Sequence, residues 1–342
     1  MKVITIDQFG GPEVLKDATI ALPQISRDEV LVKVKAVGFN PVDTKIRSGV
    51  YGGTCPLILG VDFSGVVEAV GDRHGEFAVG DHVYGLSFKG SYAEYIGIST
   101  KLIAKMPQSL SFEEAAAVPV AYVTAFQAMI GTGALQQNRP LFISGGSGGV
   151  GSAAIQLARV YRAGPVFTMS GNVQSREYLL KHLQVPSSHI LNYSGMSTEE
   201  MADKLIEMNQ GQQFYFALDF VGGKVKELCF VVADYHGHVA SILPEDDAFS
   251  VKVWGRNSIF WHKSLSLHMV YLMASFGAGP KGWNIYKTQL KHLASLFEKK
   301  ELPEPHIQIM GELSAETARK AHVLLATGHT FGKLVMSLSD SN

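Results

Sequence analysis

The first hundred residues alternate apolar and polar positions with the period of a β-strand. Segments such as KVITI (2–6), DEVLVKVKAVGF (28–39) and GVDFSGVVEAVG (60–71) are rich in Val, Ile and Phe, and Gly, Asp or Pro separates them. This pattern predicts a mostly β domain. One helix is predicted inside it over 41–48, because Pro41 suits a first helical turn and Gly49 suits a helix end.

The period changes to that of an amphipathic helix from about residue 112. Ser111 and Glu114 have the spacing of a capping box at the start of a long apolar helical run. Short apolar strands then alternate with helical stretches as far as GHVAS (237–241), which predicts βαβ units and a parallel sheet covered by helices on both faces. After a long helix near 286–300, the segment FGKLVMSL (331–338) has a strand pattern and can return to the first domain.

Length and charge narrow the classes of function. A chain of 342 residues favours two domains or one large α/β domain. Thirty Lys and Arg against 31 Asp and Glu leave a formal charge of −1, which favours neither nucleic acid nor an anionic membrane as a partner. Cys55 and Cys229 form no CxxC pair, and no apolar stretch resembles a signal peptide or a membrane span. We therefore expect a cytoplasmic protein without a disulfide framework.

A glycine-rich turn carries the first candidate chemistry. Five glycines occupy seven positions over 145–151, between a predicted buried strand and a predicted helix, and Gly146, Gly148 and Gly151 fit GxGxxG. In that context the glycines allow a tight turn, close approach to a pyrophosphate and close packing of helix on strand. Ser147, Gly149 and Val150 complete the predicted dinucleotide-binding turn. The alternative is a glycine-rich turn without a ligand.

The end of the second strand of the predicted parallel sheet indicates which dinucleotide is bound. An NAD-selective site places Asp or Glu at this point, whereas this chain has Ser170, Asn172 and Arg176 there. Hydroxyl, amide and guanidinium groups donate hydrogen bonds to a 2′-phosphate, which a carboxylate would repel. The sequence predicts NADPH as the cofactor, with Tyr193 as a further contact. The alternative for Arg176 is a solvated residue on a helix surface.

At this point the chain resembles the medium-chain dehydrogenases/reductases, and most of all their zinc-independent quinone oxidoreductase branch. Eight segments in order carry the resemblance: 40–51, 60–71, 80–86, 91–95, 115–129, 144–159, 218–223 and 331–338. The resemblance implies a GroES-like, mostly β catalytic domain formed by 1–122 and 278–342. It also implies a doubly wound Rossmann domain over 123–277, which binds NADP(H), and a homodimer.

The same resemblance argues against zinc. Zinc alcohol dehydrogenases of this superfamily carry a catalytic Cys where this chain has Asn40, and Gly-His-Glu where it has Gly60, Val61 and Asp62. Their four-cysteine lobe is absent from the sequence. His236 and His238 at a spacing of two are the remaining candidate ligands, and they are more typical of an ordinary strand. We expect no metal.

Chemistry without a metal favours acceptors that delocalise the arriving charge, namely quinones and α,β-unsaturated carbonyls. Such an acceptor needs orientation, hydrogen bonds to its oxygen and one proton. Asn40 is predicted to bind cofactor or acceptor, and Tyr51 to donate to the acceptor oxygen. Asp43 and Arg47 are predicted to form an i, i+4 ion pair. The resemblance implies further cofactor contacts from Thr124, Val221, Gly222, Ser241 and Lys333. The alternative for Tyr51 is an aromatic residue packed on a loop, and the alternative for Lys333 is a surface lysine on the last strand.

An aromatic-rich segment contains candidate residues for the acceptor pocket, without assigning it. Trp254, Phe260, Trp261 and Phe276 are candidates for an apolar acceptor pocket, with dimer contacts or ordinary core as alternatives. The predicted function is a metal-independent, NADPH-dependent reductase of quinones or other conjugated carbonyls. A dedicated enoyl or 2-alkenal reductase is the second interpretation, and a noncatalytic dinucleotide-binding or RNA-associated protein is the third.

Overall fold

The computed structural model describes residues 1–73, 75–244 and 257–338. The chain forms two compact units. The first contains Met1–Val123 and the chain from Met273 onward, and the second contains Thr124–Leu272. No helix among the described residues is long and apolar enough to cross a membrane.

The described residues contain sixteen strands and eleven α-helices. The strands are β1 (Lys2–Ile6), β2 (Lys16–Thr19), β3 (Glu29–Gly38), β4 (Leu57–Ile58), β5 (Asp62–Val70), β6 (His82–Leu86), β7 (Tyr95–Ser99), β8 (Ile103–Lys105), β9 (Leu141–Ile143), β10 (Val166–Ser170), β11 (Ile190–Asn192), β12 (Phe214–Asp219), β13 (Ala233–Ser241), β14 (Ser266–Met269), β15 (Ile307–Glu312) and β16 (Lys333–Ser337).

The helices connect these strands. They are α1 (Pro41–Arg47), α2 (Phe112–Ala116), α3 (Pro119–Phe126), α4 (Gly149–Val160), α5 (Val173–Lys181), α6 (Thr198–Met208), α7 (Lys224–Val232), α8 (Ile259–Lys263), α9 (Ala274–Gly277), α10 (Asn284–Glu298) and α11 (Ala315–Ala326). Two 3₁₀ turns, Pro12–Val14 and Ser187–His189, and one π-helical turn, Gln127–Gly131, complete them.

The first unit is built on two sheets whose strands are antiparallel, except that β15 and β16 pair parallel. Its larger sheet has the order β15-β16-β3-β5-β6-β8, with β7 also paired to β3, and β2-β1-β4 form a smaller sheet. β3 alternates half-buried and buried residues over most of its length, which is the signature of a strand with one face on the core. Gly38 at the end of β3 pairs with Asp62 on one side and with Val335 on the other. The start of β5 and the start of β16 therefore flank the end of β3.

The second unit is a parallel sheet in the order β11-β10-β9-β12-β13-β14. The strand order reverses between β9 and β12, and ligands of doubly wound sheets bind at the carboxyl ends of the strands beside such a reversal. Its core joins strand residues to α6, α7 and α8, as in the cluster of Phe142, Phe214, Leu205, Leu228 and Phe260. The predicted class, a mostly β domain plus a doubly wound parallel sheet, is confirmed.

Two local predictions are confirmed and one needs correction. The helix predicted over 41–48 is α1, and Ser111 and Glu114 form the predicted capping box through hydrogen bonds of 2.8 and 3.2 Å. The apolar run after Ser111 is two helices rather than one. Proline has no backbone N–H to donate and suits the first turn of a helix, so α2 ends before Pro119 and α3 begins there.

Candidate active site

The glycine turn between β9 and α4 is shaped by contacts that leave no room for side chains. Gly145 has a φ of +62°, in the left-handed region that favours glycine. A Cβ placed on Gly151 would overlap the carbonyl oxygen of Gly145, and a Cβ on Gly146 would overlap the hydroxyl of Thr168. Gly146 and Gly151 therefore allow α4 to pack closely on β9 and β10. A Cβ on Gly148 would meet nothing closer than 3.5 Å, so this glycine borders open space.

The N-terminus of α4 presents unpaired backbone donors at this turn. Gly148 is the N-cap residue and offers no side chain to cap the helix, whose first turn contains no acidic residue. The amide of Ser152 donates to the carbonyl of Gly148 at 2.8 Å, so the N–H groups of Gly149, Val150 and Gly151 precede the first bond of the helix. These donors and the helix dipole fit an anion such as a pyrophosphate. Ser147 is half-buried beside them.

The carboxyl ends of β10 and β11 bring together three predicted residues. Ser170 ends β10 and is buried, and Asn172 caps α5 by accepting a 2.8 Å hydrogen bond from the amide of Ser175. Tyr193 lies against Gly171, where a Cβ would come within 2.6 Å of its hydroxyl. The Tyr193 side chain is 37% exposed. A hydroxyl, an amide and a phenol thus lie along one segment of the sheet edge that carries no carboxylate.

The Arg176 side chain bonds to neighbouring main-chain carbonyl groups, which differs from the solvated helix surface named as its alternative. Its guanidinium donates to the carbonyl oxygens of Ile190 at 2.9 Å and Ser187 at 3.2 Å. These bonds tie α5 to the turn that enters β11. Its predicted contact with a 2′-phosphate stays a prediction.

Asp219 organises the end of β12, a role that the sequence analysis missed. Its Oδ1 accepts from the amides of Val221 at 3.1 Å and Gly222 at 2.8 Å, and its Oδ2 accepts from the hydroxyl of Ser241 at 2.7 Å. The carboxylate thereby fixes the exposed turn at Val221 and connects it to the end of β13. A signal was present in the sequence, because a fully buried acid ends the otherwise apolar strand FYFALD. The Lys226 ammonium lies 3.9 Å from this carboxylate.

A second polar cluster lies in the first unit, around Lys333 at the start of β16. Its ammonium donates to the main-chain carbonyl of Phe39 at 3.0 Å, to Oδ1 of Asn40, and to Oδ2 of Asp62 at 3.0 Å. The Asn40 amide donates to Asp62 Oδ2 at 2.9 Å. We call these four residues the Lys333 cage. Lys333 is 5% exposed, Asn40 is 3% exposed and Asp62 is fully buried, so the strand ends bring the cage together inside the unit.

Asp62 connects the cage to α3. Its Oδ1 accepts a 2.7 Å hydrogen bond from the amide of Val120 in the first turn of α3. Burial raises the pKa of Asp62, and the charge of Lys333 opposes that shift. Thr124 lies further along α3 and is buried. Asp62 was not among the predicted site residues, although a carboxylate at the start of an apolar strand is visible in the sequence.

A chain of hydrogen bonds continues from the cage into the interior. Asp43 Oδ2 accepts from the backbone N–H of Asn40 at 2.8 Å and from the hydroxyl of Tyr92 at 3.2 Å. Tyr92 also lies 3.2 Å from His322 Nε2, and Arg47 Nη1 lies 3.0 Å from His322 Nδ1. Because a guanidinium can only donate, His322 accepts at Nδ1 and donates from Nε2 to Tyr92, which frees the tyrosine proton for Asp43.

The predicted ion pair between Asp43 and Arg47 is wrong. Arg47 donates to the carbonyl of Gly10 at 3.1 Å and to His322, while Asp43 faces Tyr92. The physical reason is burial: both side chains are buried within the unit, where each finds its own partners. Burial and the nearby carboxylate of Asp62 raise the pKa of Asp43 to about 7, and Asp43 Oδ1 has no hydrogen-bond partner among the described residues.

The other predicted residues are placed as follows. Tyr51 lies in the loop after α1 and is 42% exposed. His236 is exposed, whereas His238 contacts the Tyr215 hydroxyl at 3.1 Å and His268 Nε2 at 2.9 Å. Within the described ranges, no group of three or more His, Cys, Asp or Glu residues could hold a metal ion.

The described residues of the candidate aromatic pocket belong to both units. Phe260 packs against Phe230 in the core of the second unit, with ring centroids 4.6 Å apart, and Trp261 is exposed. Phe276 stacks on Trp283 in the first unit at 5.0 Å. Trp254 lies outside the described residues. Phe260 and Phe276 each pack within their own unit, and their place in an acceptor pocket stays a prediction.

Two protein families match parts of this chain. The family described as "Alcohol dehydrogenase GroES-like domain" matches residues 26–108, and the family described as "Zinc-binding dehydrogenase" matches residues 188–336. A zinc ion, which the second description implies, is held in proteins by Cys, His and carboxylate ligands. The Lys333 cage offers a carbonyl, an amide and one carboxylate, with an ammonium among them. These residues do not fit zinc.

Individual relatives are similar over most or part of the chain. Human "Quinone oxidoreductase" is 42% identical over 165 residues, which is 47% of this chain and 50% of the relative. The "NADPH-dependent alkenal/one oxidoreductase, chloroplastic" of Arabidopsis thaliana is 34% identical over 218 residues, 60% of this chain and 55% of the relative. The chain thus spans about half the length of these curated relatives. The solved structure of "the quinone oxidoreductase from Coxiella burnetii" has a TM-score of 0.80 and 29% identity, and covers 99% of both chains.

Proposed function

This chain belongs to the medium-chain dehydrogenase/reductase superfamily, in its quinone oxidoreductase branch, and from that premise we propose that it is an NADPH-dependent reductase of quinones or other conjugated carbonyl compounds. The observation that carries the proposal is the turn between β9 and α4. This turn contains Gly146 and Gly151, where a Cβ would overlap neighbouring atoms, and it ends in the N–H groups of the first turn of α4. It lies at the point where the strand order of the sheet reverses.

Several residues of the second unit would hold the dinucleotide. The backbone from Gly146 to Gly151 would bind the pyrophosphate, and the Val221–Gly222 turn that Asp219 fixes would lie by the nicotinamide ribose. When bound, the nicotinamide supplies the hydride. Thr124 and Ser241 are proposed as further cofactor contacts, Ser241 through the turn to which its hydroxyl is connected.

The preference for NADPH rests on the end of β10. A 2′-phosphate is an anion, and Ser170, Asn172 and Tyr193 offer it donors without a competing carboxylate. The name of the Arabidopsis relative specifies NADPH, which supports the same choice.

The acceptor needs donors for the oxygen on which negative charge develops. We assign this role to the second Nδ2 hydrogen of Asn40 and to the hydroxyl of Tyr51. The first Nδ2 hydrogen of Asn40 is bonded to Asp62, and Tyr51 lies partly exposed in the loop after α1. Donors aimed at a developing oxyanion lower the barrier to hydride transfer without a metal ion.

A dedicated enoyl or alkenal reductase is the second candidate, and the Arabidopsis relative favours it by name. Both candidates share the cofactor site and differ in the acceptor pocket. We also propose a cytoplasmic homodimer. Support for the compartment comes from Cys55 and Cys229, which are both free thiols.

The proposed function is tested by NADPH oxidation at 340 nm with a simple quinone and a simple enone as parallel acceptors. We expect faster turnover with the quinone and a preference for NADPH over NADH, both unchanged by a chelator. Faster turnover with the enone would favour the alkenal reductase. Binding of NADPH without turnover of either acceptor would contradict both reductase proposals and support a noncatalytic dinucleotide-binding protein.

The cofactor preference has its own test in Asn172→Asp. Aspartate caps a helix as well as asparagine does, so α5 keeps its cap while the site gains a negative charge. We expect KM for NADPH to rise about tenfold, with KM for NADH nearly unchanged, because the charge repels a 2′-phosphate.

The matched control is Ser314→Asp, which adds the same charge at the N-cap of α11 in the first unit. It should leave both constants unchanged. Equal effects of Asn172→Asp on NADPH and NADH would overturn the assignment of the 2′-phosphate site.

A further inference from the structure

Lys333 has no donor left for a ligand. An ammonium has three N–H donors, and the three acceptors within reach are the carbonyl of Phe39, Oδ1 of Asn40 and Oδ2 of Asp62. The side chain is also buried. A direct contact between Lys333 and a cofactor, which the resemblance implies, would require one of these bonds to break.

The two charges of the cage leave the Asn40 amide a single orientation. Its oxygen accepts from the ammonium of Lys333, and its NH₂ group donates to the carboxylate of Asp62. A rotation of the amide by half a turn would place NH₂ against the ammonium and oxygen against the carboxylate. Two charge-assisted hydrogen bonds, each stronger than a neutral one, would then be lost together.

The backbone of Asn40 is held as firmly as its side chain. The backbone N–H of Asn40 donates to Asp43 Oδ2 at 2.8 Å. Asn40 lies two residues beyond the end of β3, and β5 and β16 pair with that end on either side. With its orientation fixed, Asn40 retains one donor without an acceptor in the described part of the chain, the second hydrogen on Nδ2.

We propose that Lys333 is a positioning residue: paired with Asp62, its ammonium fixes the Asn40 amide so that the remaining Nδ2 hydrogen faces the carbonyl oxygen of the acceptor. This inference rests on the proposed function. The positioning role of Lys333 also accounts for a cage that does not fit zinc. A tethered ammonium supplies the cation of the site, and it acts through Asn40 instead of binding the substrate oxygen itself.

The cage is therefore a site for a primary ammonium ion, which permits a test by chemical rescue. Lys333→Ala removes three methylene groups and the ammonium, and n-propylammonium contains those four heavy atoms. Tetramethylammonium carries the same charge but has no N–H group. It is the matched control for screening by salt.

In the Lys333→Ala variant we expect kcat to fall about tenfold or more, with KM for NADPH changing less than about threefold. n-Propylammonium should restore most of kcat, whereas tetramethylammonium should not. A rise in KM for NADPH without a loss of kcat would overturn the proposal in favour of a direct cofactor contact. Equal rescue by both cations would also overturn it.

Thermal unfolding supplies a readout that does not depend on turnover. n-Propylammonium at 100 mM should raise the unfolding midpoint of Lys333→Ala by about 2 °C or more and leave that of the wild-type protein unchanged. No shift in the variant would overturn the assignment of the cage as an ammonium site. If the wild-type protein reduces no acceptor, the proposed function fails, while this thermal result still decides whether the cage binds an ammonium.

A second variant covers the case in which Lys333→Ala does not fold. Asp62→Asn combined with Lys333→Met removes both charges and keeps the volumes, and replacement of a buried ion pair in this way is often tolerated. The Asn40 amide then has no charge to orient it. We expect a folded protein with kcat reduced about tenfold, and a wild-type kcat in this variant would overturn the positioning role.

Discussion

Asp43 and His322 belong to one hydrogen-bonded chain, yet their pKa values shift in opposite directions. Burial disfavours the charged form of each group. Burial, with repulsion from Asp62, raises the pKa of Asp43 from 3.8 to about 7. Burial, with the charge of Arg47, lowers the pKa of His322 from 6.5 to about 3. Both side chains are therefore more stable in their neutral forms inside the protein.

These shifts predict opposite pH trends for two variants. Folded Asp43 retains a proton that the unfolded chain loses, so its contribution to stability is present below pH 3.8 and is lost as the pH rises to about 7. Asp43→Asn should therefore gain stability relative to the wild-type protein between pH 5 and pH 7.5. Folded His322 lacks a proton that the unfolded chain binds below pH 6.5, so its contribution is lost on acidification. His322→Gln should lose stability relative to the wild-type protein over the same rise in pH.

Urea unfolding of the three proteins at pH 5 and pH 7.5 measures both trends. The wild-type protein is the common reference, so the groups that are not substituted largely cancel from each difference. The same sign of change in the two variants would contradict the assigned shifts.

Asn40 was predictable as a site residue from the sequence, but neither its orientation nor its partners were. Asn40 and Asp62 are 22 residues apart, and Asp62 and Lys333 are 271 residues apart. Nothing in the local pattern of residues shows that three strand ends meet at one point. The same limit explains the wrong ion pair, because i, i+4 spacing predicts a pair only for side chains that stay on the helix surface.

At the scale of elements, the turn from β9 to α4 was predictable from the sequence, although α4 begins at Gly149, inside the predicted turn. Its constraints act over seven consecutive positions, 145–151, and the flanking strand and helix show in the apolar pattern. The break between α2 and α3 was not predicted, although Pro119 marks it. The apolar run hid it, because residues 115–123 continue without a charged side chain from the end of α2 into α3.

The close packing of α4 on β9 predicts the effect of Gly151→Ala. A Cβ at this position would overlap the Gly145 carbonyl, so α4 must move and its N–H groups lose their alignment. We expect the Kd for NADPH to rise about tenfold or more, measured by fluorescence titration. Gly277→Ala is the matched control, because a Cβ there meets nothing within 4 Å. An unchanged Kd in Gly151→Ala would contradict the role of this turn in binding.

At the scale of the whole molecule, charge separates the reductase from an RNA-associated protein. Lys and Arg number 30 against 31 Asp and Glu, and nonspecific binding to nucleic acid depends on an excess of basic groups. We predict no retained RNA complex in a gel shift at physiological salt and micromolar protein. A complex that persists under these conditions would contradict the prediction and favour the RNA-associated alternative.

The register of β3 sets an order of events during synthesis of the chain. One edge of β3 is shared: β7 covers residues 29–33, and β16 covers residues 36–38. The strands of the second unit all leave the ribosome before β16. They pair with one another within a continuous stretch of sequence, so their pairing does not require β16. Until β16 emerges, Asp62 has no ammonium partner and the end of β3 is an open edge of the kind that recruits other chains. The end of β3 that leads into Asn40 therefore keeps one unpaired edge until β16 is synthesised, and during that interval the nascent chain is exposed to aggregation.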